Sequence, residues 1–164
     1  VLEDRQERGA ICWHGFDHYQ APIHETRKGR WRMEIEPKLP TTKGPAARFT
    51  GDVWVDPIAT RKPEPSRMVI SRVRFAPGAH TAWHFHAVGQ TLHITEGVAL
   101  IGTRDGRVVQ AYPGQTVYTP PGEHHWHGAT SEHFMEHLAM LEEPAEGEAT
   151  VWLEHVTDEE YARR

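Results

Sequence analysis

Gly78-Ala-His-Thr-Ala-Trp-His84-Phe-His86-Ala-Val-Gly-Gln90, with a further glycine at Gly97, crowds histidines, a tryptophan and glycines into one short segment. His84 and His86 stand two residues apart, so on a β-strand both imidazoles leave the same face and can reach one metal ion. Working outward, short apolar or alternating runs fill the chain from Phe49 onward, punctuated by Pro-Gly and Asp-Gly pairs. Strands are expected near Asp52–Val55, Met68–Phe75, Ala82–Phe85, Gln90–Glu96, Ala99–Arg104, Val108–Tyr112, Thr116–Thr119, His125–Ala129, Phe134–Leu141 and Thr150–His155, with a Pro-rich loop through Pro57, Pro63 and Pro65. Pro77-Gly78, Asp105-Gly106, Pro113-Gly114 and Pro121-Gly122 supply the turns, through the fixed φ of proline or a glycine able to take φ > 0. Many short strands at near-regular spacing predict an all-β sandwich or barrel. Thr157-Asp-Glu-Glu160 has the pattern of a capping box, which predicts a short C-terminal helix carrying Tyr161.

The chain of 164 residues, 38% hydrophobic, fits a single domain with a real core. A net charge of −5 with scattered positive residues offers no basic stripe, which argues against nucleic acid as a partner. Cys12 is the single cysteine, which excludes a disulfide framework and a thiolate metal cluster. With no apolar run of bilayer-spanning length and no membrane partner expected, the chain reads as a soluble cytoplasmic protein. Residues 1–32 differ from the rest. They mix charge with Trp13, His14, His18, His24 and Trp31 and show no periodicity. They read as an N-terminal extension, either an arm or sequence upstream of the true start with Met33 as initiator, preceding one domain over 33–164.

A second glycine-led motif follows, Gly114-Gln-Thr-Val-Tyr-Thr-Pro120-Pro-Gly122-Glu-His-His125-Trp-His127-Gly128. His127 lies two residues from His125, so on one strand the two point to the same face, while Trp126 points to the other and calls for cover by a second sheet or a subunit. Together the segments 78–97 and 114–129 resemble the two motifs of the cupin superfamily, G-x5-H-x-H-x3-E-x6-G and G-x5-P-x-G-x2-H-x3-N. Gly78, His84, His86, Gly97, Gly114, Pro120, Gly122 and His125 match, whereas Gln90 replaces the glutamate and Ala129 the asparagine. The resemblance implies a double-stranded β-helix, or jelly-roll barrel, holding a divalent metal through His84, His86, Gln90 and His125.

Gln90 is a neutral donor, so a divalent ion beside it keeps its full charge, which favours Lewis-acid chemistry over oxygen activation. Lys43-Gly-Pro-Ala, Thr81-Ala-Trp-His-Phe-His, Gly89-Gln-Thr-Leu, His124-His-Trp-His-Gly-Ala and Val156-Thr-Asp-Glu-Glu-Tyr161 are similar to the small bacterial cupins that include manganese-dependent (R)-selective hydroxynitrile lyases. That resemblance implies manganese, with iron or zinc next, and a small-molecule substrate of the cyanohydrin class. It further implies His127 as general base, His137 as a second polar group of the cavity, and a homodimer or homotetramer. Val73, Phe75, Trp83, Val117 and Leu138 are candidates for an apolar wall, and His80, His93, His124, His133 and His155 for solvated or packing roles. The alternatives are a small cupin dioxygenase acting on a phenolic or diketone substrate, and a non-enzymatic module in which the metal anchors a small ligand.

Overall fold

The computed structural model describes residue 33 and residues 35–163, so the expectations for residues 1–32 lie outside the described residues. A compact unit, Pro37–Arg164, carries all the secondary structure described. In chain order it holds β1 (Thr42–Lys43), β2 (Phe49–Thr50), β3 (Val53–Ala59), β4 (Met68–Phe75), β5 (His80–Thr81), β6 (His84–His86) and β7 (Gln90–Gly97). There follow β8 (Ala99–Thr103), β9 (Val108–Ala111), β10 (Thr116–Thr119), β11 (His125–Ala129), β12 (Met135–Glu142), β13 (Thr150–Trp152) and the helix α1 (Asp158–Ala162). Among the described residues no helix is long and apolar enough to cross a membrane.

The strands form two antiparallel sheets. A six-stranded sheet runs β1-β3-β4-β12-β7-β10, and a seven-stranded one runs β13-β6-β11-β5-β2 with β8 and β9 attached through β11. Alternation along each strand turns one face of both sheets inward. Val53, Val73, Phe75, Leu92, Ile94, Ile101, Ala111 and Met135 meet there as one buried cluster, against which Val117 packs. The all-β reading holds, and the double-motif segments lie on strands as expected.

Several local expectations change. Of the strand expected over Ala82–Phe85 only His84 and Phe85 lie in one, β6, because Ala82 and Trp83 donate their N–H groups to the Arg48 and Glu154 carbonyls outside the ladder. Pro57 lies inside β3 rather than in a loop. There β3 pairs only with β4, and the register shifts between Pro57 and Ala59, so the missing N–H deprives no second neighbour. Three short strands, β1, β2 and β5, add to those expected, and β13 stops at Trp152. Gly97, φ 72°, fits its motif position for a steric reason, since a Cβ there would come within 1.8 Å of the Phe134 carbonyl oxygen.

The largest correction concerns Trp126. Its side chain does leave the face opposite His125 and His127, and its cover comes from within its own chain. Trp126 is buried in a second cluster with Trp83, Leu100 and Val156, closed by Tyr161 from α1. Thr157 caps this helix with the full reciprocal box, accepting from the Glu160 N–H while the Glu160 side chain returns to the Thr157 N–H. Tyr161 donates its hydroxyl to the Ala129 carbonyl at 2.7 Å and stacks on His80 with ring centroids 4.5 Å apart. Trp83 therefore belongs to this outer cluster and not to the apolar wall. Leu138 is also excluded, since it shares its cross-strand row with Arg72 and His93 while its neighbour His137 takes the buried side.

Tyr161→Ala removes a half-buried ring and one hydrogen bond, and should lower the unfolding free energy by about 2 kcal/mol. A urea titration followed by tryptophan emission measures this. The variant should unfold earlier and emit further to the red, and an unchanged midpoint and spectrum would mean that something other than α1 covers Trp126.

Candidate metal and catalytic site

Both sheets contribute to one buried group of side chains. His84 and His86 come from β6 and His125 and His127 from β11, all in the seven-stranded sheet, while Gln90 on β7 and His137 on β12 come from the six-stranded sheet. All six are buried. His125 and His84 are direct cross-strand partners, which brings their rings to 4.3 Å between centroids. The His86 ring lies 5.1 Å from that of His84 and 5.5 Å from that of His125. Ring nitrogens of His84, His125 and His127 all lie within 4.8 Å of one another. The histidine expected as base thus stands among those expected as ligands, closer to two of them than the motif alone suggests.

The orientation of each imidazole is set from behind. His84 Nδ1 faces the Ala82 carbonyl at 3.0 Å and His125 Nδ1 faces the Glu123 carbonyl at 2.9 Å. A carbonyl can only accept, so in both rings Nδ1 carries the hydrogen and the neutral ring turns a bare Nε2 inward. His125 Nε2 lies 3.1 Å from Gln90 Oε1, so two acceptors face each other. His86 Nε2 is buried with no hydrogen-bond partner. Inward lone pairs with nothing to accept are the pattern a cation satisfies, and neutral imidazole plus amide oxygen suits a divalent transition metal.

His127 is held differently. Its backbone N–H donates to the Thr81 hydroxyl at 3.1 Å, and its Nδ1 meets His137 Nε2 at 3.2 Å across the two sheets. Phe75 packs against both rings, at 5.7 Å from His127 and 5.6 Å from His137, in keeping with its place in the expected wall. Sequence reasoning did not single out Thr81, Thr150 or Trp152. Thr150 Oγ1 lies 2.9 Å from His86 Nδ1, and the Trp152 ring stacks on His84 at 4.7 Å. The alternation of β13 puts these two on one face, and that was the available signal.

The cupin-domain family model matches residues 71–140. The (R)-mandelonitrile lyase of Granulicella tundricola is 47% identical over 121 residues, which are 74% of this chain and 91% of that protein. The chain belongs to the cupin family. Among solved structures, a cupin-like protein from Thermotoga maritima is similar with a TM-score of 0.70 and 33% identity, over 79% of this cupin and 95% of that chain. The polyketide cyclase RemF from Streptomyces resistomycificus, at 22% identity and a TM-score of 0.52 over 66% of this chain and 75% of its own, shares the fold.

Burial dominates the electrostatics of the cupin's interior. It holds His84 and His127 well below the usual histidine range, with neighbouring imidazoles adding to the effect, His125 first for His84 and His137 first for His127. Burial and then His125 bring His86 to about 4, and burial brings His137 to about 3. His125 is lowered by the same desolvation. All five rings are neutral at pH 7, the state that both metal ligation and proton acceptance require.

This predicts an acid-labile metal-free protein. Unfolded imidazoles take up protons near pH 6.5 and the folded cluster resists them, so below that pH the unfolded state binds more protons. Stability is then fully present above about pH 6.5 and falls as pH drops toward about 4, by roughly 1.4 kcal/mol per pH unit for each such histidine. Urea midpoints of chelator-treated protein should stay level from pH 7.5 to about 6.5 and then fall toward pH 5, and a profile flat throughout contradicts the buried neutral cluster.

Proposed function

We propose that this cupin is a metal-dependent lyase that cleaves or forms cyanohydrins, mandelonitrile among them, with manganese as its metal. The observation that carries the reading is the position of His127, buried, neutral and backed by His137, among inward-facing nitrogen and oxygen donors. A relative sharing 47% identity that is named (R)-mandelonitrile lyase supports the choice of substrate. His84, His86, Gln90 and His125 would hold the ion, and the neutral Gln90 leaves its positive charge undiminished. When bound, the metal supplies Lewis acidity toward the substrate oxygen.

The chain's own residues do the proton chemistry. When His127 donates its Nδ1–H to His137 Nε2, its Nε2 is bare toward the site and can take the proton of a cyanohydrin hydroxyl. The O–H electrons become the second carbonyl bond, the carbon–carbon bond to the nitrile breaks, and its electron pair leaves as cyanide. The proton on His127 Nε2 then passes to cyanide, so the products are an aldehyde and hydrogen cyanide and the imidazole is neutral again. His137 acts behind His127, accepting its Nδ1–H throughout and fixing the tautomer that keeps Nε2 available. Phe75, in contact with both rings, excludes water from this pair.

Benzaldehyde release from mandelonitrile by manganese-loaded protein tests the reading, with chelation abolishing the rate. His127→Ala should retain the metal and lose about 10²–10⁴-fold in kcat. An unaltered rate in that variant removes the proposed base. Gln90→Glu should slow the lyase reaction, because the added carboxylate cancels one unit of charge.

A further inference from the structure

We infer that β13 is a third segment of the metal site, with Thr150 and Trp152 as positioning residues for His86 and His84; this rests on the ligand roles proposed for those two histidines. β6 is three residues long and meets β11 through the single pair His125↔His84. It meets β13 through three pairs, Thr150↔His86, Val151↔Phe85 and Trp152↔His84. The strand that bears both motif histidines is therefore held mainly by β13.

Directly paired residues in an antiparallel ladder project to the same face, so Thr150 and Trp152 stand beside the two imidazoles. The contacts are specific. Thr150 Oγ1 lies 2.9 Å from His86 Nδ1, and as acceptor of the Nδ1–H it leaves His86 Nε2, buried and otherwise without a hydrogen-bond partner, with its lone pair inward. Trp152 lies nearly parallel to the His84 ring, 29° between planes and 4.7 Å between centroids, and limits its rotation about the Nδ1 bond to Ala82. Trp152 is itself braced by Phe49 at 5.7 Å and by the Arg48 guanidinium 5.6 Å from its ring centre. Phe49 packs in turn on Phe75, which touches His127 and His137. A continuous aromatic chain thus connects β13 to the proposed base.

The test is manganese chloride titrated calorimetrically into metal-free protein, with the thermal midpoint of the same metal-free protein measured in parallel. Thr150→Val keeps the branched shape and removes the hydroxyl, and should weaken manganese binding by about 10- to 100-fold while leaving the metal-free midpoint close to wild type. Thr150→Ser should restore most of the affinity. Trp152→Leu should weaken binding and Trp152→Phe, which keeps an aromatic face, should weaken it less. Wild-type affinity in both Thr150→Val and Trp152→Leu, with His86→Ala binding poorly, overturns the role of β13 and leaves the metal site intact. Wild-type protein that binds no better than His86→Ala overturns the metal reading itself. If Thr150→Val lowers the metal-free midpoint by as much as it weakens binding and Thr150→Ser restores neither, Thr150 is structural and the inference falls.

Discussion

His125 lies directly across the ladder from His84, and the register of that single pair governs the interior. Side chains alternate between faces, so a slip of one residue would send His125 and His127 to the outer side and bring Trp126 inward. The slip is blocked from both sides of β11. Gly128, opposite His80, has no room for a side chain, since a Cβ there would come within 2.5 Å of both the Ala79 carbonyl oxygen and the His80 Cβ. On the outer face Trp126 fills the space left by Gly102, where a Cβ would come within 2.2 Å of the indole nitrogen. The bulky residue outside and the glycines beside it specify the register as firmly as the apolar core does, and the site depends on them although none of them faces it.

Neutral imidazoles gathered in one volume would be a poor solution for stability alone. Each loses hydration and gains one hydrogen bond from behind, to Ala82, Glu123 or Thr150, or to its histidine partner. The inward nitrogens gain nothing within the protein. Desolvation keeps them unprotonated, so the fold maintains a set of bare donors at a cost that a bound cation would offset. The same desolvation that lowers their pKa values thus connects the packing of the barrel to its chemistry.

How far this was legible in the sequence follows from which constraints are local. The spacing of His84 with His86, and of His125 with His127, survives as shared strand faces because alternation needs no tertiary information. Gln90 and the capping box at Thr157 were readable for the same reason. What escaped depends on pairing between distant segments. Nothing in the composition of Thr150-Val-Trp152 marks it as a neighbour of His84 and His86, since those contacts arise from its register with β6. Trp126 was correctly turned outward, but its cover comes from Tyr161 on a five-residue helix that a sequence pattern can place on the chain and not in space. Trp83 lies in the outer cluster, where alternation with the adjacent inward His84 alone would place it.

The distribution of carboxylates bears on the proposed chemistry. Among the described residues the one buried acid is Asp56, and it is occupied by Arg72, Arg74 and Thr41, its row on the six-stranded sheet lying one residue out of step with that of His137. The cluster itself consists of neutral donors. On the proposed reading a divalent ion there brings two positive charges into a low-dielectric interior with no protein anion to balance them, and such an imbalance favours any bound species that acquires negative charge as it reacts. An alkoxide and a departing cyanide both do so in the same volume. A carboxylate in place of Gln90 would supply part of that balance in the ground state, before reaction, and so remove the differential stabilisation on which rate depends. On that reading the amide in place of a carboxylate would not weaken the motif but reserve the interior's unbalanced charge for the reacting substrate.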